Sequence, residues 1–347
     1  MAKNELAGRI QTVLGTIDPS DLGITLTHEH LLIDMMCYFE MPEEASEREW
    51  IDAKVTMDRL GGAYRRFSHF PDAIQLLDTD EVICEVLKYK HVGGNSLMDT
   101  TSVGLARDPL ALARISRATG LNVIMGSGYY VPVSYPEDMD TKSEQSITDE
   151  IIRDITVGVG DTGVRSGFIG EIGNFWPTNP NTIKVLQASA HAALETGAVV
   201  LIHPGFDPDS PPAIIETLTG AGLDPSRIIM GHLDLVPHDF AWLKDLAQSG
   251  CYMELDLFGM EDTMAPLPIS SDVERMENIE YAISEGFGDK ILVAHDVCTK
   301  MQYTKYGGKG YAHILENIVP RMRKRGFTEE SIQSILIDNP KNAVTFV

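Results

Sequence analysis

Short apolar runs recur along the chain: GITLTHEHLL around residue 27, NSLMDTTSV around 98, NVIMGSGYY around 125 and SGFIGEIG around 170. AVVLIHPG follows around 201, RIIMGHLD around 230, CYMELDLFG around 254 and KILVAHDV around 294. Most lack polar alternation before their final residues, the pattern of parallel strands covered on both faces. Between them lie stretches with apolar residues at helical spacing: DPLALARISRATG, TIKVLQASAHAALETG, PPAIIETLTGAG and HDFAWLKDLAQSG. Each closes on a glycine shortly before the next apolar run, a helix stop. Eight strand–helix alternations over a chain of this length predict an α/β fold, a (β/α)₈ TIM barrel. A doubly wound open sheet fits less well, because no glycine-rich phosphate loop follows the first strand.

Two parts fall outside the repeat. RIQTVLGTID reads as a short hairpin within about residues 8–20, ahead of a barrel spanning about 22–347. Tyr38 to about Asp80 is a long, charged insertion after the first strand, one of several long loops that distort the barrel. No low-complexity linker interrupts the chain, so 1–347 is read as a single domain.

The 347 residues, 43% of them hydrophobic, suffice for such a core, and the net charge of −23 changes only the choice of partners. Nucleic acid and anionic membrane are polyanions and reward basic patches, so neither is expected; a small-molecule substrate is. Cys37, Cys84, Cys251 and Cys298 are widely spaced and contain no CxxC, which reads as buried free thiols in a reducing compartment. MAKNELAGRIQTVLG has no apolar segment of signal-peptide length, and no window suits a membrane span, so a cytoplasmic protein is expected.

The polar residues at the ends of the apolar runs carry the chemistry. His28 and His30 share one face of the first strand because side chains alternate along a strand, with Glu29 on the other. Glu171 lies in the fourth strand, and His203, His232 and Asp296 end the fifth, sixth and eighth. Strand C-termini line the mouth of a barrel, where active sites are built. Four imidazoles and two carboxylates there suit borderline divalent ions, and six ligands exceed what one catalytic ion needs. Two ions are therefore expected, Zn²⁺ first, with Mn²⁺, Co²⁺ or Fe²⁺ as alternatives. His69, His91, His191, His238 and His313 lack this placement and read as structural.

THEH, GEIG, IHPG, GHLD and AHD in this order resemble the phosphotriesterase family of the amidohydrolase superfamily, and the likeness runs from about Gly8 to DNPKNAVTF. IGEIGNFWP and GCYMELDLFG are similar to its phosphotriesterase-related branch. The resemblance implies that His28, His30 and Asp296 hold the more buried ion, His203 and His232 the more exposed one, and that Glu171 bridges. It also implies a homodimer. Many family members bridge with a carboxylated lysine; here Glu171 stands in place, and Lys142 and Lys184 read as loop and helix. Organophosphate-degrading members carry a His after the Asp that ends strand seven, whereas Leu257 follows Asp256 here.

These features predict a metal-dependent hydrolase in which a hydroxide shared by two ions attacks a carbonyl of a lactone, carboxylic ester or N-acyl amide. Phosphotriester hydrolysis is the alternative, weakened by Leu257. A non-catalytic binding protein is a second, opposed by the full ligand set. Asp296 is the expected catalytic proton acceptor as well as a ligand. Expected substrate contacts are Tyr129 and Tyr130 after strand three, Trp176 after strand four and Asp256 after strand seven. Lys300, Tyr303 and Lys305 lie in a glycine-rich loop after strand eight that suits a lid over an anionic substrate.

Overall fold

The computed structural model describes residues 5–261 and 269–347. All eight apolar runs form strands. They are β3 (Thr25–Glu29), β6 (Ser96–Asp99), β7 (Asn122–Met125), β8 (Ile169–Gly173), β9 (Val200–His203), β10 (Ile228–Met230), β11 (Tyr252–Leu255) and β12 (Ile291–Val293). Parallel ladders join β3, β6 and β7 into one segment and β8 through β12 into another. Separate hydrogen bonds bridge the two seams. Gly167 N donates to Met125 O at 2.8 Å and Gly170 N to Ser127 O at 2.5 Å on one side; Asp296 N donates to His28 O at 3.1 Å on the other. The result is the expected distorted (β/α)₈ barrel.

Period two sorts the side chains. On β9, Leu201 joins Ile10, Ile124, Phe168, Ile229 and Leu292 in a cluster at the barrel floor. Its neighbours Val200 and Ile202 join the larger core with helix residues such as Leu186, Ala190 and Leu218. His203 is therefore two residues beyond a floor position and faces the barrel mouth.

The N-terminal hairpin is present as β1 (Ile10–Thr12) and β2 (Gly15–Ile17), with Ile10 opposite Ile17. It plugs the floor, where buried Gln11 donates its amide to Ile155 O and Ser166 O at 2.8 and 2.6 Å. Helices Pro109–Thr119 and Pro180–Thr196 begin at Asp108 and Asn179 caps and end on left-handed Gly120 and Gly197, as the sequence predicts. Helix Ser210–Gly220 closes likewise, with Ala221 at its cap and left-handed Gly222 after it.

The insertion after β3 folds as a short antiparallel pair, β4 (Ile33–Asp34) with β5 (Gln75–Leu76), and a series of single turns. Ala53, Val55, Ala63, Phe70 and Ala73 give it a small core of its own, closed by Met301 from the loop after β12. The four cysteines are free thiols, but only Cys251 and Cys298 are buried. Cys84 is exposed because helix Thr79–His91 buries Val82, Glu85, Val86 and Tyr89, and position 84 falls off that stripe; Cys37 is half-buried. Among the described residues no helix is long and apolar enough to cross a membrane.

Candidate active site

Glu171 lies at the centre of the barrel mouth. Its Oε1 is 3.2 Å from His30 Nε2, and its Oε2 is 3.4 Å from His28 Nε2, 3.1 Å from His203 Nδ1 and 3.5 Å from His232 Nε2. Asp296 Oδ1 approaches His30 Nε2 at 3.3 Å. All six sequence-predicted ligands thus meet around one carboxylate. Ligand atoms of His28, His30 and Asp296 form one compact group, and those of His28, Glu171 and His232 form a second, each within 4.8 Å of one another. His28 rather than His203 completes that second group.

The local backbone explains the convergence. Glu171 follows Gly170, whose φ is +136° and where a Cβ would sit 2.5 Å from Leu201 O; only glycine lets β8 close this tightly on β9. His232 and Asp296 adopt φ of 51° and 46°, a region that non-glycine residues enter at a cost of ~1–3 kcal/mol. Both are held by hydrogen bonds from their own N–H groups. His232 N donates to Asp256 Oδ2 at 2.8 Å and Asp296 N to His28 O at 3.1 Å.

A layer of partners behind the imidazoles sets their tautomers. His28 Nδ1 is 2.9 Å from Glu254 Oε2 and 3.2 Å from Asp256 Oδ2, and His232 Nδ1 is 2.9 Å from Asp256 Oδ1. Thr101 Oγ1 donates to Leu32 O at 3.0 Å, so it accepts from His30 Nδ1 at 2.8 Å. In each case Nδ1 carries the proton toward its backing partner and Nε2 turns its lone pair toward Glu171, the arrangement of a metal-ligating histidine.

Two atoms test whether cations belong here. His28 Nε2 and Asp296 Oδ1 are buried yet have no hydrogen-bond partner among the described residues, a costly arrangement unless something else is bound. The donor set of imidazole nitrogens and carboxylate oxygens fits a divalent ion. The electrostatics agree. Burial works against protonation of His28, but Asp256, Glu171 and Glu254 raise it well above the usual range. Burial likewise opposes His30, which Asp296 and Glu171 lift to about 9. Burial would raise the Glu171 carboxyl, yet the surrounding His203, His232, His28 and His30 hold it well below normal. The pocket draws positive charge inward, the field that a cation requires.

Above the ligands opens a cavity of about 380 Å³. His203, His232 and Asp296 form its floor; Phe67, Phe175, Phe206, Leu235, Leu257 and Met260 form much of its wall. Tyr130 lines it, packs its ring 5.0 Å from that of His203 and accepts a hydrogen bond from Tyr38 at 3.1 Å.

The other expected substrate contacts lie elsewhere. Tyr129 turns outward to donate to Glu150 at 2.8 Å and accept from Lys142 at 2.6 Å. Trp176 is partly exposed, and its neighbour Phe175 lines the cavity instead. Asp256 is buried behind His28 and His232. Lys300 pairs with Asp72 at 2.8 Å, Tyr303 is buried in the core beside Tyr311, and Lys305 reaches Glu81. Lys142 pairs with Glu150 and Lys184 donates to Met139 O and Lys142 O, so both are committed outside the ligand cluster. His191 pairs with Glu144, His238 donates to Val236 O, His313 pairs with Asp272 and His69 lies 3.4 Å from Glu47, while His91 ends helix Thr79–His91.

Sequence reasoning missed several contributors. Glu254 shares a strand face with Asp256 in the ELD triplet, a readable signal. His295 sits beside Asp296 in AHD, and its N–H and Nδ1 both donate to Glu29 Oε1, at 2.9 and 2.7 Å. Val297 N donates to Glu29 Oε2 at 3.0 Å. The glutamate of THEH thus clamps both sides of Asp296. Tyr38 and Arg65, both on the cavity wall, come from the insertion, where no periodicity marks them.

A barrel whose strand ends gather four histidines, a central glutamate and an aspartate defines a metal-dependent hydrolase of the amidohydrolase type. Residues 8–344 match the phosphotriesterase family, and the chain belongs to it. It is 40% identical to the N-acetyltaurine hydrolase of Danio rerio, over 99% of each chain. A resiniferatoxin-binding protein from Rhodobacter sphaeroides superposes with a TM-score of 0.93 at 34% identity, covering 97% of this chain and 95% of that one. The lactonase Lmo2620 from Listeria monocytogenes gives 0.80 at 25% identity, covering 98% and 99%.

Proposed function

We propose that the chain hydrolyses N-acyl amides of small amines, with two Zn²⁺ ions held by His28, His30 and Asp296 on one side, His203 and His232 on the other, and Glu171 between them. The carrying observation is the complete ligand cluster at the floor of a small, largely apolar-walled cavity; the similarity to an N-acetyltaurine hydrolase over nearly the whole chain supports an amide rather than a lactone as substrate. Bound divalent ions acidify water toward neutral pH and polarise a carbonyl oxygen.

The chain's own residues do the rest. Burial raises the Tyr38 and Tyr130 phenols, so both stay protonated. Tyr38 donates to Tyr130, which leaves the Tyr130 proton to stabilise the charge growing on the acyl oxygen. Asp296 takes a proton at its carboxylate and returns it to the departing amine. Leu257, Leu235 and Phe206 keep bulk water out. Leu257 offers no proton relay, which disfavours phosphotriesters.

Turnover of N-acetyltaurine, N-acetyl-β-alanine, γ-lactones and an aryl phosphotriester by zinc-replete protein tests the proposal. Acetate release from the amides at the highest kcat/KM is expected. Cleavage of lactones or phosphotriesters alone overturns it.

A further inference from the structure

The cavity has one cationic wall. Among the described residues lining it, Arg65 is the single Lys or Arg. It ends helix Leu60–Arg65 in the insertion, is exposed, and is one of the residues lining the cavity. Its guanidinium makes no hydrogen bond or ion pair among the described residues. The neighbouring arginines are engaged: Arg66 donates to Glu47 at 3.0 Å and lies over the Trp50 ring at 4.9 Å, and Arg59 lies over the same ring at 6.0 Å. The nearby lysines Lys54 and Lys300 both pair with Asp72.

In a chain with 51 acidic and 28 basic residues, carboxylate partners are abundant. An arginine left unpaired at the mouth of the cavity is therefore informative. The rim carboxylate, Glu40, is turned toward His69 at 4.0 Å. The lining of this one cavity combines metal ligands, the apolar side chains Phe67, Phe206, Leu235 and Leu257, and one guanidinium. A matching substrate has its scissile carbonyl at one end, a short aliphatic spacer in the middle and an oxyanion at the other. The planar guanidinium fork suits a carboxylate or sulfonate, which it can engage through two parallel hydrogen bonds.

We infer that Arg65 is the receptor for the anionic terminus of the amine half of the substrate, and that it selects N-acyl amino acids and N-acyl aminosulfonates over neutral amides. The inference rests on the amide-hydrolase reading for its substrate class. The reaction balances as water oxygen bonding to the acyl carbon, the C–N bond breaking, and the amine leaving protonated with its oxyanion still on Arg65.

The test compares wild type, Arg65→Ala and Arg65→Lys on N-acetyltaurine, N-acetyl-β-alanine and neutral N-acetylethanolamine. Calorimetric titration of the same proteins with N-acetyltaurine is run in parallel. A charged hydrogen bond lost at a half-exposed site corresponds to a rise in KM of ~10- to 100-fold for both anions. The preference for anionic over neutral amide falls by the same factor in Arg65→Ala and partly returns in Arg65→Lys. An effect on N-acetyltaurine but not on N-acetyl-β-alanine assigns the sulfonate as the recognised group; equal effects assign any oxyanion. An unchanged preference, with unchanged calorimetric affinity, overturns the inference. If wild type cleaves none of the amides yet binds N-acetyltaurine and Arg65→Ala does not, the receptor role stands and the amide-hydrolase reading fails.

Discussion

The two ends of the ligand cluster are built differently. His28 and His232 stand in front of the buried carboxylates Glu254 and Asp256, so each ring is fixed by a charged hydrogen bond behind it. His203 has Glu171 before it, and its ring is flanked by aromatics, Tyr130 at 5.0 Å and Phe206 at 5.6 Å between centroids. The first end is rigid because two buried carboxyl groups take directed hydrogen bonds from its imidazoles. At the second, burial and the neighbouring His232 hold the His203 pKa down, and apolar packing replaces a carboxylate. A ring backed by aromatics is positioned by packing, whereas one backed by a carboxylate is positioned by a directed hydrogen bond.

Removing the shared element should erase the distinction. Glu171→Gln is expected to empty both metal positions and to reduce kcat near the upper part of the ~10²- to 10⁴-fold range for loss of a catalytic group. His203→Ala should release mainly one equivalent of metal, counted by elemental analysis. Equal metal loss in the two variants contradicts a bridging Glu171.

Breaking only the rigid end is the next largest effect. Asp256→Asn should weaken metal affinity by ~10- to 100-fold, measured by competition with a chelator, because backing residues tune ligand basicity and aim. Glu29→Gln acts on the same end through the Asp296 turn, and a loss of ~10-fold is expected in metal affinity, with normal secondary structure by circular dichroism. The smallest effect belongs to the soft end. Phe206→Leu should change KM by a few fold with metal content intact, since it alters volume at a partly exposed contact by about a methylene or two. A metal loss in Phe206→Leu equal to that in Asp256→Asn removes the contrast between the ends.

The six ligands at the strand ends are the part of the site that could be read along the chain. Strands buried on both faces announce themselves as apolar runs, and polar residues closing them, such as His203 in LIHPG, project into the mouth by geometry alone. Contacts made by loops lack that rule. Lys300 has the right charge and neighbourhood for an anionic substrate, yet Asp72, 228 residues earlier, takes its ammonium group. Arg65 lies in a run of single turns where no period separates inward from outward positions. Trp176 and Phe175 differ by one residue, and outside a strand a one-residue difference cannot be assigned a direction from spacing.

The clamp around Asp296 has a further consequence for how the molecule comes into being. Glu29 and His295 are 266 residues apart, and the two ends of the chain are stitched together below them, with Gly8 N on Phe346 O and Phe346 N on Arg9 O. A ribosome that has delivered the first seven barrel strands has made His28 and His30, but neither the turn that aims Asp296 nor the donors that neutralise Glu29. The first metal position is therefore not complete until the eighth barrel strand and the turn after it have been made, and closing so long a loop weighs on the rate of folding.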